Sequence, residues 1–146
     1  MPPDALSPED PAEWLRRARS NLARVRLGHG QPDVLFEDLC FDAQQACEKA
    51  LKALLVLKGA IVPRTHSIAD LLTVLAQLGF EFPDRIKDAA SLTDYAVAAR
   101  YPGPSEPVVI EDVEDAIELA QTVVAWATAI VSSPGRDLVP PRPSET

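Results

Sequence analysis

The sequence predicts an all-α protein, an up-and-down bundle of four to five helices. Two observations carry this. Apolar residues recur at intervals of three and four through most of the chain, and Ala and Leu are abundant while aromatic residues make up only 5%. Of the 146 residues, 47% are apolar and 25% charged, the balance of an ordinary globular chain that can bury a core without a metal or a disulfide. We expect one domain over residues 1–132 and a disordered, proline-rich tail over 133–146.

The first helix is expected to start at Ser7, with Pro8, Glu9 and Asp10 in its first turn, and to run to about Leu27. Trp14, Leu15, Ala18, Leu22 and Val25 form its apolar stripe, and Gly28, Gly30 and Pro32 end it. The second, over about 34–58, is the clearest. Phe36, Leu39, Cys40, Ala43, Ala46, Cys47, Ala50, Leu51, Leu54 and Leu57 share one arc, and Gly59 follows. Its other side carries Phe41, Gln44, Gln45, Glu48, Lys49 and Lys52, so a phenylalanine stands among polar residues. Residues 63–67 connect to a third helix over 68–78, capped by Thr65 or Ser67 and ended by Gly79. A fourth follows Pro83 and continues through Tyr95 to about Arg100, where Tyr101-Pro102-Gly103-Pro104 breaks it. The fifth covers 110–131, and its apolar face is broad enough for a dimer contact besides the core.

Cys40 and Cys47 lie about two turns apart on one helix, too far to bridge, and read as core residues. No signal-peptide pattern and no apolar run of ~20 residues occurs, which points to a cytoplasmic protein that does not enter membranes. The net charge of −8 disfavours broad attraction to nucleic acid. The charge is uneven, with Arg16, Arg17, Arg19, Arg24 and Arg26 in the first helix and Glu111, Asp112, Glu114, Asp115 and Glu118 at the start of the last. Solvated helix faces, with acids favouring a helix N-terminus, are the first explanation of this, and a local RNA or partner contact by the arginines is the alternative.

Three candidate sites emerge. On the second helix, Gln45 with Lys49 and Glu48 with Lys52 are i,i+4 pairs suited to a solvated face, or to binding a phosphate or an acidic partner. Arg64-Thr65-His66 precedes a helix N-terminus that could hold an anion, or simply caps it. Tyr95, Arg100 and Tyr101 could stack on a base and grip a phosphate, or pack a helix end. No phosphate-binding glycine loop, metal-ligand spacing or nucleophile motif occurs, so no metal or other cofactor is expected.

The ordered segments FDAQQACEKALKALLVLKG, PRTHSIADLL and LTDYAVAARYPG resemble the HEPN domain family, over residues 14–131. The resemblance implies a four- or five-helix bundle, usually a homodimer, with a polar groove near the dimer axis. Many members are metal-independent ribonuclease toxins of toxin-antitoxin modules. Others bind nucleotides or act as non-catalytic partners of minimal nucleotidyltransferases. The ribonucleases carry an Arg, an adjacent polar residue and a His four to six positions after the Arg. Arg100 aligns with that Arg, but no histidine follows His66. Arg24 and His29 satisfy the spacing at the wrong end of the chain. Arginine alone stabilises charge without shuttling a proton. The reading therefore leans away from an enzyme, toward a nucleotide-binding or non-catalytic homodimeric partner of a minimal nucleotidyltransferase. The alternatives are a ribonuclease using Arg100, Tyr101 and His66, and a ligand-free dimeric helical module.

Overall fold

The computed structural model describes residues 9–93 and 107–133, and all regular structure among them is helical. The elements are α1 (Pro11–Gly28), α2 (Phe36–Leu57), α3 (Ile68–Gln77), α4 (Asp84–Asp88), a single 3-10 turn (Ala89–Leu92) and α5 (Ile110–Val131). No helix among the described residues is long and apolar enough to cross a membrane.

The start of α1 differs from the expected Ser7. Asp10 is the N-cap, its carboxylate accepting the Ala12 amide at 2.9 Å, and Pro11 opens the helix. Proline there loses no hydrogen bond, since first-turn amides have no partner in the helix anyway. Ser67, not Thr65, caps α3, accepting from the Asp70 amide at 3.2 Å. Within the expected fourth helix, α-helical hydrogen bonding gives way after Asp88 to the 3-10 turn over Ala89–Leu92. Its expected continuation through Tyr95 to Arg100, the Tyr101-Pro102 break, Ser7 and the tail after Ser133 lie outside the described residues.

α2 is the central element. Leu51, Leu54, Leu55, Cys40, Cys47 and the four alanines along it are fully buried among α1, α3 and α5. Small alanines let neighbouring helices approach closely, and the leucines fill the remaining space. The α1–α2 hairpin is antiparallel, because Trp14 meets Lys52, Asn21 meets Asp42 and Gly28 meets Leu39. At Gly28 a Cβ would come within 2.8 Å of Leu39 Cδ2 and 3.3 Å of Val34 Cγ1, so glycine permits the tight turn into α2. α2 ends in a Schellman motif at Gly59, φ 71°, with the Gly59 and Ala60 amides bonded to Val56 and Leu55 carbonyls at 2.9 and 3.0 Å. The connector then runs back along α2 to bring His66 beside Glu48.

The breadth of the α5 apolar face has a partner within the chain. Trp126 packs against Phe80 and Phe82, with ring centroids 6.4 and 5.5 Å apart.

Candidate functional site

The polar side of α2 is not a solvated face. Gln44 and Glu48 are 0% and 2% exposed, and Asp42 and Asn21 are also buried. A polar group removed from water needs a hydrogen-bond partner, and these find theirs on α1 and on the connector. Among the described residues no buried side-chain nitrogen or oxygen lacks a partner.

Two linked clusters result. In the first, Asn21 of α1 donates to Asp42 at 2.9 Å and accepts from Lys49 at 2.7 Å, while Arg24 approaches Asp42 at 3.6 Å. Desolvation pulls the Lys49 ammonium below its usual range, and Arg17 and Arg24 add to this while Glu48 and Asp42 oppose it. In the second, Glu48 Oε1 takes Lys52 Nζ at 3.0 Å and His66 Nδ1 at 2.8 Å, and Glu48 Oε2 takes Gln45 Nε2 at 2.9 Å. Gln45 also donates to Gln44 Oε1 at 2.7 Å, and Gln44 in turn donates to the His66 carbonyl at 3.1 Å. Lys52 lies over the Trp14 ring, 5.9 Å from its centroid.

The sequence candidates thus divide. Gln45, Glu48, Lys52 and His66, nominated from separate segments, meet in one cluster, and Lys49 sits in the adjoining one. Arg64 is exposed on the connector. Tyr95, Arg100 and Tyr101 lie outside the described residues, as does any relation of Arg100 to His66. His29, of the Arg24–His29 spacing, lines a separate hollow with Arg26, Glu114 and Ile117.

The α3 N-terminus is largely occupied by the protein itself. The Ser67, Ile68 and Asp70 amides bond to Thr65, Thr93 and Ser67 hydroxyls at 3.0, 3.0 and 3.2 Å. An anion there has to be met mainly by side chains.

Residues missed in the sequence include Asn21, Asp42 and Glu13. Asn21 was detectable, since it falls on the same spacing as Ala18, Leu22 and Val25 and so belongs to the buried stripe. Glu13 binds Arg16 at 2.9 and 3.0 Å and Arg17 at 2.7 Å, which together hold its carboxyl down at about 2. Each buried acid on this seam thereby holds an outward-facing basic side chain. The Arg16, Arg17, Arg24 and His66 side chains are 60–68% exposed over carboxylates that are 3–11% exposed.

The HEPN domain family model matches residues 11–130. The chain is similar to the crystal structure of TT1696 from Thermus thermophilus, with 34% identity and a TM-score of 0.71, covering 82% of this chain and 96% of that one. It is also similar to ST0689, an archaeal HEPN homologue, with 27% identity and a TM-score of 0.67, covering 84% and 98%. No curated protein matches the chain.

Proposed function

The chain belongs to the HEPN domain family, and from that premise we propose that it is a non-catalytic, nucleotide-responsive binding protein. It works as a homodimer with a minimal nucleotidyltransferase, the two forming a toxin-antitoxin-like pair in the cytoplasm. The observation that supports this is the row of exposed cations held over buried acids along the α1–α2 seam. In a chain of net charge −8, this gathers Arg16, Arg17 and Arg24 on one side, with the His66 ring held on Glu48 beside them. Cations already held in place lose less freedom when they bind an anion.

Calorimetric titration of the full chain with ATP and AMP tests the nucleotide reading. Saturable binding weakened by Arg17→Glu with Arg24→Glu is expected, and flat traces overturn it. Co-expression with a minimal nucleotidyltransferase encoded beside it tests the partnership, which fails if the two do not co-purify.

A second reading, metal-free RNA cleavage using His66 with Arg100 and Tyr101, draws support from the Glu48–His66 pair. A carboxylate on Nδ1 fixes the tautomer and leaves Nε2 to move a proton. Cleavage of RNA in the presence of EDTA, lost in both His66→Ala and Arg100→Ala, would establish it. Intact RNA at high protein concentration would overturn it.

A further inference from the structure

We propose that His66 is the phosphate-contacting residue of this protein, that its ligand is a nucleotide bearing a terminal phosphate, and that Glu48 is the positioning residue coupling this contact to proton uptake. The inference rests on the nucleotide-binding reading and names the group that performs it.

His66 is fixed at both ends. Its carbonyl accepts from Gln44 at 3.1 Å, and its Nδ1 meets Glu48 Oε1 at 2.8 Å. Glu48 is itself immobilised by Gln45 and Lys52. The ring nonetheless remains 60% exposed. A carboxylate accepts only, so Nδ1 carries the hydrogen in this pair. In the neutral ring Nε2 is then a lone pair, which repels a phosphate oxygen. In the protonated ring Nε2 becomes a donor, and a charge-assisted bond to phosphate forms.

Among the described residues, Glu48 and Lys52 of α2 meet beside the ring, Arg64 lies two positions before it on the connector, and Asp70 of α3 accepts from the Thr65 hydroxyl at 3.1 Å. With the amides of Ser67, Ile68 and Asp70 occupied, side chains must supply the donors for an anion there, and the protonated His66 ring is one of them. Phosphate binding is therefore linked to protonation, whereas binding of a ribose hydroxyl, which can donate to neutral Nε2, is not.

The test is calorimetry of the full chain with AMP, adenosine and inorganic phosphate between pH 6 and 8, with NMR of the two histidine rings. AMP and phosphate should shift the His66 ring and leave His29 unmoved, and adenosine should bind far more weakly than AMP. The apparent AMP Kd should rise by up to about tenfold per pH unit on the alkaline side, since only the protonated fraction binds. His66→Gln, a change at an exposed ring, should abolish the pH dependence. Glu48→Gln should shift the ring away from the Nδ1–H tautomer and weaken AMP binding, with Glu48→Asp restoring part of both. AMP binding that is independent of pH, equal to that of adenosine, or unchanged in His66→Gln overturns the inference and leaves nucleotide binding standing. If no nucleotide binds, the functional reading fails. The inference fails with it unless phosphate alone still shifts His66 in a pH-dependent way.

Discussion

Lys49 Nζ donates to Asn21 Oδ1 at 2.7 Å, so a half-buried cation of α2 is held most closely by a neutral amide of α1. The same amide donates to Asp42, which makes Asn21 the joint between a cation and an anion. Asn21→Leu removes donor and acceptor together and leaves two charged groups short of a partner. We expect a loss of about 2 kcal/mol in urea-induced unfolding. Asn21→Asp has a different signature. It sets two carboxylates within hydrogen-bond distance, so one must hold a proton in the folded state and its pKa rises. Stability of that variant should fall as pH rises above about 5, relative to the parent chain.

Glu13 gives the opposite sign. Hydrogen bonds from Arg16 and then Arg17 lower its carboxyl to about 2. A group whose pKa is depressed by folding stabilises the folded state above its unfolded value of ~4.3, and this is lost as pH falls toward the folded value. The stability difference between the parent and Glu13→Gln should thus be constant near neutrality. It should shrink between about pH 5 and 2 and vanish below. Thermal melts across that range check it, and a difference independent of pH would show that the ion pairs contribute nothing.

The helices were legible because their signals are local. The expected 110–131 matches α5, and 34–58 brackets α2, since periodicity and the glycine stop lie within each segment. The interior position of Glu48 and Gln44 was not legible. A polar stripe reads as solvated unless its partners are known, and here they are Asn21, 21 residues before Asp42, and His66, 18 residues after Glu48. Pairings at that separation depend on how the connector folds back, which no helical pattern encodes. The 3-10 turn after α4 was hidden for a related reason: Ile86, Ala89 and Leu92 keep helical spacing and are all buried, whether the turn is α or 3-10.

The two cysteines should be silent in the native protein. Burial pushes the Cys40 thiol up to about 12, aided by the nearby Asp112 and Glu37 carboxylates, and raises Cys47 further. Only the thiolate reacts readily. With Ellman's reagent at about pH 8, near the ordinary thiol pKa, we expect negligible reaction in buffer and release of both equivalents in denaturant. Fast labelling of the native chain would mean that α2 opens frequently.

Arg85 bridges α4 to α5, donating to Asp115 at 2.8 Å and Glu118 at 2.9 Å with Asp88 at 3.5 Å. All three acids are well exposed, so solvent and salt weaken the network. Arg85→Ala should therefore lower the melting temperature only slightly, as loss of a surface ion pair does. The effect should diminish further in about 0.5 M salt, where the Debye length falls to roughly 4 Å. A larger loss that salt does not alter would instead reflect packing of the arginine stem.

The close approach at Gly28 makes a sharper prediction, because it couples two residues. A methyl there would meet Leu39 Cδ2 at 2.8 Å and Val34 Cγ1 at 3.3 Å. Leu39 is 3% exposed in the core, so its side chain has little room to withdraw. Gly28→Ala should therefore destabilise by about 1–2 kcal/mol, although alanine is the better helix former. Leu39→Ala alone should cost about 2–4 kcal/mol as a cavity. In the double variant the new methyl meets open space in place of Leu39 Cδ2, so the combined loss should be smaller than the sum of the two, with a coupling of about 1 kcal/mol. Strict additivity would show that the α1–α2 turn relaxes around the methyl instead of pressing it onto Leu39.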